Sequence, residues 1–145
     1  MTDVTLKEFS FSLPSVIKIT EKGLMPTIDY PHEFFGMSDK EQVSVLNGVL
    51  CAIQQHVGKN LELGSSDCYG IKGLEPGSTI VIGLAITLKK TDAMRIECQL
   101  VFPLDWTEYS KESNREILQC VSYLLQGSAV TIVRRSERLE ISNGR

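Results

Sequence analysis

Two acidic residues occupy matching places in two similar loops, and catalytic chemistry would first be sought there. The stretch YPHEFFGMS begins at Tyr30 and FPLDWTEYS begins at Phe102, and an acid follows the proline by two positions in each. If these acids, Glu33 and Asp105, faced each other, they could perform acid–base work or bind a divalent metal. Acids before a helix more often complement its dipole. A small hydrolase using the paired carboxylates is therefore only an alternative here.

An aromatic residue follows each of these acids. It is Phe34 in the first stretch and Trp106 in the second. Aromatic side chains at the entrance of a helix typically pack on the core and fix the angle of the entering chain. Glu33, Phe34, Asp105 and Trp106 together form the first set of candidate binding residues.

Basic residues form a second candidate set, made of Lys89, Lys90, Arg134, Arg135 and Arg138. If they converged with Lys72, and with Tyr69 or Tyr109 nearby for stacking, such a strip could hold single-stranded nucleic acid. Charges on edge strands more often prevent edge-to-edge pairing. The net charge of −3 and the sequence pI near 5.4 also argue against general nucleic-acid binding. A nucleic-acid-binding module is therefore an alternative rather than the main hypothesis.

Histidine and cysteine supply no recognisable site. Neither His32 nor His56 has a metal-ligand partner at the usual spacing. The four cysteines show no CxxC spacing, and three of them fall within apolar patterns. We expect reduced thiols in a cytoplasmic protein, with a disulfide pair as the alternative. No catalytic residue, metal or cofactor is predicted.

Two amphipathic helices follow the two loops. The first opens with Ser38 and Glu41 in capping-box spacing. The second, SKESNREILQCVSYLLQG, is capped by Ser110 or Ser113 and is predicted to end at Gly127. Their apolar residues recur at helical spacing and are predicted to form the core. The recurring residues are Val43, Leu46, Leu50, Ile53 and Val57, with Val45, Val49 and Ala52, in the first helix and Ile117, Leu118, Val121, Leu124 and Leu125 in the second. Of these, Leu46, Val49, Ile53, Leu118, Val121 and Leu125 are all predicted to lie in the core.

Strand patterns precede each helix. SVIKIT and LMPTIDY flank the turn EKG, and STIVIGLAITLKK and AMRIECQLVF flank Thr91–Asp92. A weaker pair, SAVTIVRR and RLEIS, is predicted at the C-terminal end. The longest apolar run, TIVIGLAITL, is too short to span a bilayer, and we expect no membrane association.

The two halves of the chain show the same order of elements, 72 positions apart, as from Pro31 to Pro103. We predict one α+β domain over residues 1–145, with an antiparallel sheet built from two pseudo-repeated hairpin–helix (ββα) units. The units cover about 4–64 and 76–142, and each is followed by a short strand. Internal duplication is the favoured explanation, and the alternative is that any two capped hairpin–helix units resemble each other.

The strand TIVIGLAITL carries apolar side chains on both faces. Val81, Gly83 and Ala85 would point to the face opposite the isoleucines and leucines. A sheet face open to water would carry polar residues there. Either the helices lie on opposite faces, or a partner chain covers the second face. We predict a homodimer joined through this face or an adjoining edge.

The function expected from these observations is that of a non-catalytic protein-binding accessory factor. We expect a chaperone-like adaptor or inhibitor of bacterial or phage origin, with a protein partner. The expectation rests on the absence of a catalytic constellation and on the apolar sheet surface that needs cover.

Overall fold

An antiparallel sheet and two long helices make up most of the chain. The computed structural model describes residues 7–61, 69–90 and 94–143. The strands are β1 (Lys7–Ser12), β2 (Ser15–Thr20), β3 (Gly23–Ile28), β4 (Thr79–Lys90) and β5 (Met94–Val101). The helices are α1 (His32–Phe35), α2 (Asp39–Asn60) and α3 (Lys111–Asn143), with a 3-10 turn at Trp106–Glu108. The predicted α+β class with an antiparallel sheet is confirmed.

The central strand is β4, which is paired along both edges. β5 lies on one side, and β1 and β2 lie end to end on the other. The register that pairs Ser12 with Ala85 continues across Pro14 to the pair Ser15–Ile82. β1 and β2 therefore act as one strand that is interrupted at Pro14, a residue with no N–H to donate. β1 was not predicted, although Phe11 alternates with serines in the way a strand requires.

The described helices all pack on one face of the sheet. Gly48 of α2 approaches Ile96 of β5 so closely that a Cβ there would lie 2.8 Å from a methyl carbon of Ile96. The expectation that helices might cover both faces is not met. The strand residues beneath the helices are buried and form a continuous core with them. They include Leu13, Ile17, Ile19, Ile80, Ile82, Leu84, Ile86 and Leu88.

α2 begins and packs as the sequence predicts. The Ser38 hydroxyl accepts a hydrogen bond from the Glu41 N–H at 3.2 Å, and the Ser38 N–H donates to Glu41 Oε1 at 3.0 Å. This capping box satisfies two donors that the helix itself leaves unpaired. The six residues predicted to lie in the core of α2 and α3 are all buried, which confirms them. Other residues of the predicted stripes are only partly buried, namely Val43, Leu50, Ala52, Val57 and Leu124.

α3 extends far beyond its predicted end. It continues through Gly127 to Asn143, so the predicted C-terminal strand pair is wrong. A glycine inside a helix costs only about 1 kcal/mol, and tertiary contacts outweigh it here. Ile132 is buried, and the Arg135 guanidinium donates to Asp39 Oδ1 at 2.6 Å. The short strand predicted after α2 falls on residues outside the described ranges.

α2 and α3 run antiparallel to each other. The Arg115 guanidinium donates to the Leu61 carbonyl at one end of the pair, and Arg135 reaches Asp39 at the other. Within α3, Lys111–Arg138 is long and apolar enough to cross a membrane by length and composition alone. Core helices of globular proteins pass the same test, so this is weak evidence for a membrane span.

Candidate functional site

The sheet face opposite the helices, here called the open face, carries exposed apolar side chains. Met25, Val81 and Val101 are exposed by 59%, 47% and 52%. Val101 pairs with Gly83 and Val81 pairs with Val16, whereas Met25 pairs with the exposed Lys18. Ala85 lies between Ser12 and Gln99. This end of the open face is therefore mainly apolar around Val81 and Gly83, and the small residues give it a low centre.

The other end of the open face is polar. The hydroxyls of Ser10 and Thr87 lie 3.0 Å apart across β1 and β4. Lys89 forms a salt bridge with Glu97 of β5, with 3.4 Å between Nζ and Oε2. The open face thus divides into an apolar half, which needs cover, and a polar half that suits solvent.

The two sequence-matched loops each contain a stacked aromatic pair. In the first loop (Tyr30–Met37), the rings of Tyr30 and Phe34 lie 4.7 Å apart. In the second loop (Phe102–Tyr109), the rings of Phe102 and Trp106 lie 4.6 Å apart. Phe34 and Trp106 are both buried. These two candidate binding residues therefore anchor their loops to the core.

Matching hydrogen bonds hold the two anchors. The amide nitrogen of the Gln42 side chain donates to the Phe34 carbonyl at 2.9 Å, and that of Asn114 donates to the Trp106 carbonyl at 3.1 Å. Gln42 and Asn114 are themselves buried and stand 72 positions apart. Each loop is thus fixed by the first turn of the helix that follows it.

Each loop also contacts the helix of the other half. The Tyr30 hydroxyl donates to Ser128 Oγ of α3 at 3.0 Å. The Phe102 ring lies 4.7 Å from the His56 ring of α2. Burial lowers the pKa of the His56 imidazole below its ordinary value. Burial also raises the pKa of Tyr30, and its hydrogen bond with Ser128 opposes this in part.

A groove lies beside the first loop, against α3. Its volume is about 510 Å³. Phe35 and Tyr123 stand at its mouth and are 66% and 63% exposed. We call it the aromatic groove. It is lined by Tyr30, Phe34, Phe35, Gln42, Tyr123, Leu124, Gly127, Ser128, Thr131, Ile132 and Arg135.

The second loop is covered by a segment of the chain itself. The Gly70 N–H donates to the Thr107 carbonyl at 2.7 Å, and the Lys72 N–H donates to the Glu108 carbonyl at 3.0 Å. A Cβ at Gly70 would lie 2.3 Å from the Glu108 oxygen, so only glycine permits this approach. The Lys72 carbonyl then accepts from the Ser110 N–H at 2.9 Å and caps α3.

The two candidate acids do not meet. Glu33 lies beside His32 at 3.7 Å, and Asp105 forms a 3.4 Å salt bridge with Lys72. Their loops contact opposite halves of α2, near Gln42 and His56. At about 1.5 Å per residue, these contacts lie roughly 20 Å apart along the helix. The geometry does not form a carboxylate pair, and the described residues contain no cluster of three metal-ligating side chains.

The candidate basic residues do not converge either. Lys89 is paired with Glu97 on the open face, whereas Arg134, Arg135 and Arg138 lie on α3. Arg135 is engaged by Asp39 and Gln42 and has a structural role. Lys72 docks at the start of α3, about 35 Å along the helix from Arg134. The side chain of Lys90 lies outside the described residues.

The cysteines of the described ranges are free thiols. Cys51 is exposed, and Cys98 and Cys120 are partly buried. Burial raises the pKa of Cys98 to about 11 and also raises that of Cys120. Both are therefore poor nucleophiles near neutral pH. Cys68 lies outside the described residues.

No protein-family model, curated protein or solved structure matches the chain. The geometry of the described residues offers two candidate surfaces, the open face and the aromatic groove. Phe35, Tyr123 and Ser128 were missed by the sequence analysis because no local motif marks them. The 72-residue spacing could have pointed to Ser128, because it aligns Ser128 with His56.

Proposed function

We propose that the protein is a non-catalytic protein-binding accessory factor that acts as a homodimer through the open face. The observation that carries this proposal is the apolar end of that face, where Met25, Val81 and Val101 are about half exposed or more. Exposed apolar surface of this kind is typical of interfaces between protein chains.

A second copy suits this surface in shape. Gly83 and Ala85 form a low centre, which allows two sheets to approach to about the 10 Å of ordinary sheet packing. In a twofold dimer the same patch serves both subunits, so its apolar end can cover its own copy. The Lys89–Glu97 end can then remain in solvent.

The separation of the candidate chemical groups supports a non-catalytic role. Glu33 and Asp105 lie on different loops, with His32 beside the first and Lys72 beside the second. The alternative of single-stranded nucleic-acid binding receives no support, because Lys89 and Arg135 are paired with acids and lie on different layers.

We also infer that the sheet and helices arose by duplication of a ββα unit. The reciprocal contacts Tyr30–Ser128 and Phe102–His56 favour this origin over chance resemblance. The spacing is 72 for the loops and helices. For the first strands of the two hairpins the spacing is three residues shorter. Ile28 and Leu100 are matched at 72, and their strand partners are Ser15 and Leu84.

Light scattering at tens of micromolar tests the dimer, with twice the 16.1 kDa chain mass expected. Val81→Asp should place charges in the interface and give the monomer mass, with an unchanged circular dichroism spectrum. Val130→Asp is a matched control, because Val130 of α3 is exposed by the same 47%. It should remain dimeric. A wild-type mass near 16.1 kDa would refute self-association, and a dimeric Val81→Asp would exclude the open face.

A further inference from the structure

The two loops differ most at one pair of residues, His56 and Ser128. In the second loop three rings follow one another, from Trp106 to Phe102 at 4.6 Å and from Phe102 to His56 at 4.7 Å. In the first loop the ring centroids of Phe34 and Tyr30 lie 4.7 Å apart, and Tyr30 then meets the edge of Phe35 at 6.3 Å. From α3, Tyr30 receives the Ser128 hydroxyl, which stands where the second loop has the His56 ring. A serine is much smaller than an imidazole, and the aromatic groove lies at this place.

The lining of the aromatic groove fits a planar apolar ring. Tyr30, Phe35 and Tyr123 provide aromatic faces and edges, and Leu124 and Ile132 provide aliphatic contact. Aromatic pairs favour offset or edge-to-face arrangements with centroids about 4.5–7 Å apart. The volume of about 510 Å³ lies within the usual range of roughly 300–1,000 Å³ for binding pockets.

The charged group at the rim of the groove is already neutralised. Arg135 donates to Asp39 Oδ1 at 2.6 Å and lies 3.4 Å from Gln42 Oε1. An anionic ligand would therefore compete with an existing salt bridge. A neutral aromatic group meets no such competition, so the chemistry of the groove favours an aromatic ring over a carboxylate or phosphate.

We propose that the aromatic groove binds an aromatic side chain of a partner polypeptide, whose ring packs on Tyr30 as His56 packs on Phe102. The chain's own second loop identifies the occupant, since the matching place there is filled by a ring carried on a polypeptide. Aromatic anchors in preformed pockets are typical of protein–protein recognition. This proposal names the partner chemistry of the proposed protein-binding function and uses a surface other than the open face.

The test uses two peptides, Ala-Ala-Trp-Ala-Ala and Ala-Ala-Ala-Ala-Ala, titrated into the full chain and followed by nuclear magnetic resonance. We expect the tryptophan peptide to shift the amide signals of Tyr123, Ser128 and Thr131 and to bind at least about tenfold more tightly than the alanine peptide. Free N-acetyl-tryptophanamide, as a third probe, should bind the same place more weakly than the peptide. Equal binding of the two peptides, or free amide binding as tight as the tryptophan peptide, would overturn the proposal.

Exchange of the two distinguishing residues sharpens the test. Ser128→His should fill the aromatic groove with the chain's own ring. It should weaken the binding of the tryptophan peptide at least about tenfold. Ser136→His, also on α3 but outside the groove lining, should bind as the wild type does. His56→Ser should create a second site, with new shifts around Phe102. Unchanged peptide binding by Ser128→His would refute the proposal even if His56→Ser does not fold.

The dimer proposal and the groove proposal can be refuted separately. The mass of each variant is measured in the same samples, and Val81→Asp should bind the tryptophan peptide as the wild type does. A monomeric wild type that binds the peptide would refute only the dimer. A dimer that does not distinguish the peptides would refute only the groove.

Discussion

The first and second loops begin from nearly the same structure and end in different environments. Both have a stacked aromatic pair, a buried anchor and a side-chain amide that binds the anchor's carbonyl. The second loop is then closed by the His56 ring and by the segment from Tyr69 to Lys72. In the first loop Tyr30 meets the Ser128 hydroxyl and the edge of Phe35, and the aromatic groove lies open beside them. The shared contacts hold the fold together, and the contacts that differ leave one place free to bind.

The same contrast appears where the two long helices begin. The Ser38 N–H donates to the side chain of Glu41, three residues away. The Ser110 N–H donates to the carbonyl of Lys72, which is distant in the sequence. Both helices also have a local cap, since the Ser110 hydroxyl accepts from the Ser113 N–H at 3.1 Å. The helix starts therefore differ in the partner of the N-cap N–H, which is local in α2 and a docked segment in α3.

The largest expected effect would break the shared part of the comparison. Phe34→Ala and Trp106→Ala each remove a buried anchor, and each should lower the free energy of unfolding by about 3–5 kcal/mol. Urea unfolding measures both. Phe35→Ala is the control, because its exposed ring should contribute less than about 1 kcal/mol. A small loss for either anchor would show that the two loops are not equivalent supports of the core.

A middle-sized effect separates the two caps. Glu41→Ala removes the acceptor for the Ser38 N–H and should lower stability by about 1 kcal/mol. Glu41→Gln keeps an acceptor oxygen and should recover most of the loss. Hydrogen exchange adds a second measurement, in which Glu41→Ala speeds exchange at Ser38 but not at Ser110. Equal acceleration at both amides would contradict the difference in capping.

The smallest effect concerns the ring that closes the second loop. Burial lowers the pKa of His56 below its ordinary 6.5, so the folded chain binds fewer protons here than the unfolded chain does. This contribution to stability is fully present above about pH 6.5 and is lost as the pH falls from there toward the folded pKa. His56→Phe keeps a ring on Phe102 without the titration. Between pH 7.5 and 5.5 the wild type should therefore lose more stability than His56→Phe, and a larger loss by the variant would contradict this sign.

The elements with local signals could be predicted from the sequence. The capping box at Ser38 and the apolar periodicity that includes Leu46 and Leu118 depend on residues three or four apart, and both were found in the structure. The end of α3 could not be predicted in this way. Gly127 favours a stop locally, and the helix beyond it is stabilised by distant contacts, which include the burial of Ile132 and the salt bridge of Arg135 with Asp39.

The candidate site followed the same division. The loop aromatics were visible in the sequence, and their similarity located both anchors. Their surroundings were not visible, because the residue that faces each loop from the other half, Ser128 or His56, is distant in the sequence. The paired-acid hypothesis failed for a related reason, since matching positions in two units need not be close in space.

The position of β4 has a consequence for the order of folding. Before β4 emerges from the ribosome, the residues up to Asn60 can form only the β2–β3 hairpin and α2, and the buried face of Ile17 and Ile19 has no central strand beside it. The pairing of β1 with β4 joins residues as distant as Lys7 and Lys90, and such non-local contacts slow folding. Synthesis must therefore pass well beyond the midpoint before a stable core exists. Until then the nascent chain exposes apolar strand surface of the kind that chaperones protect.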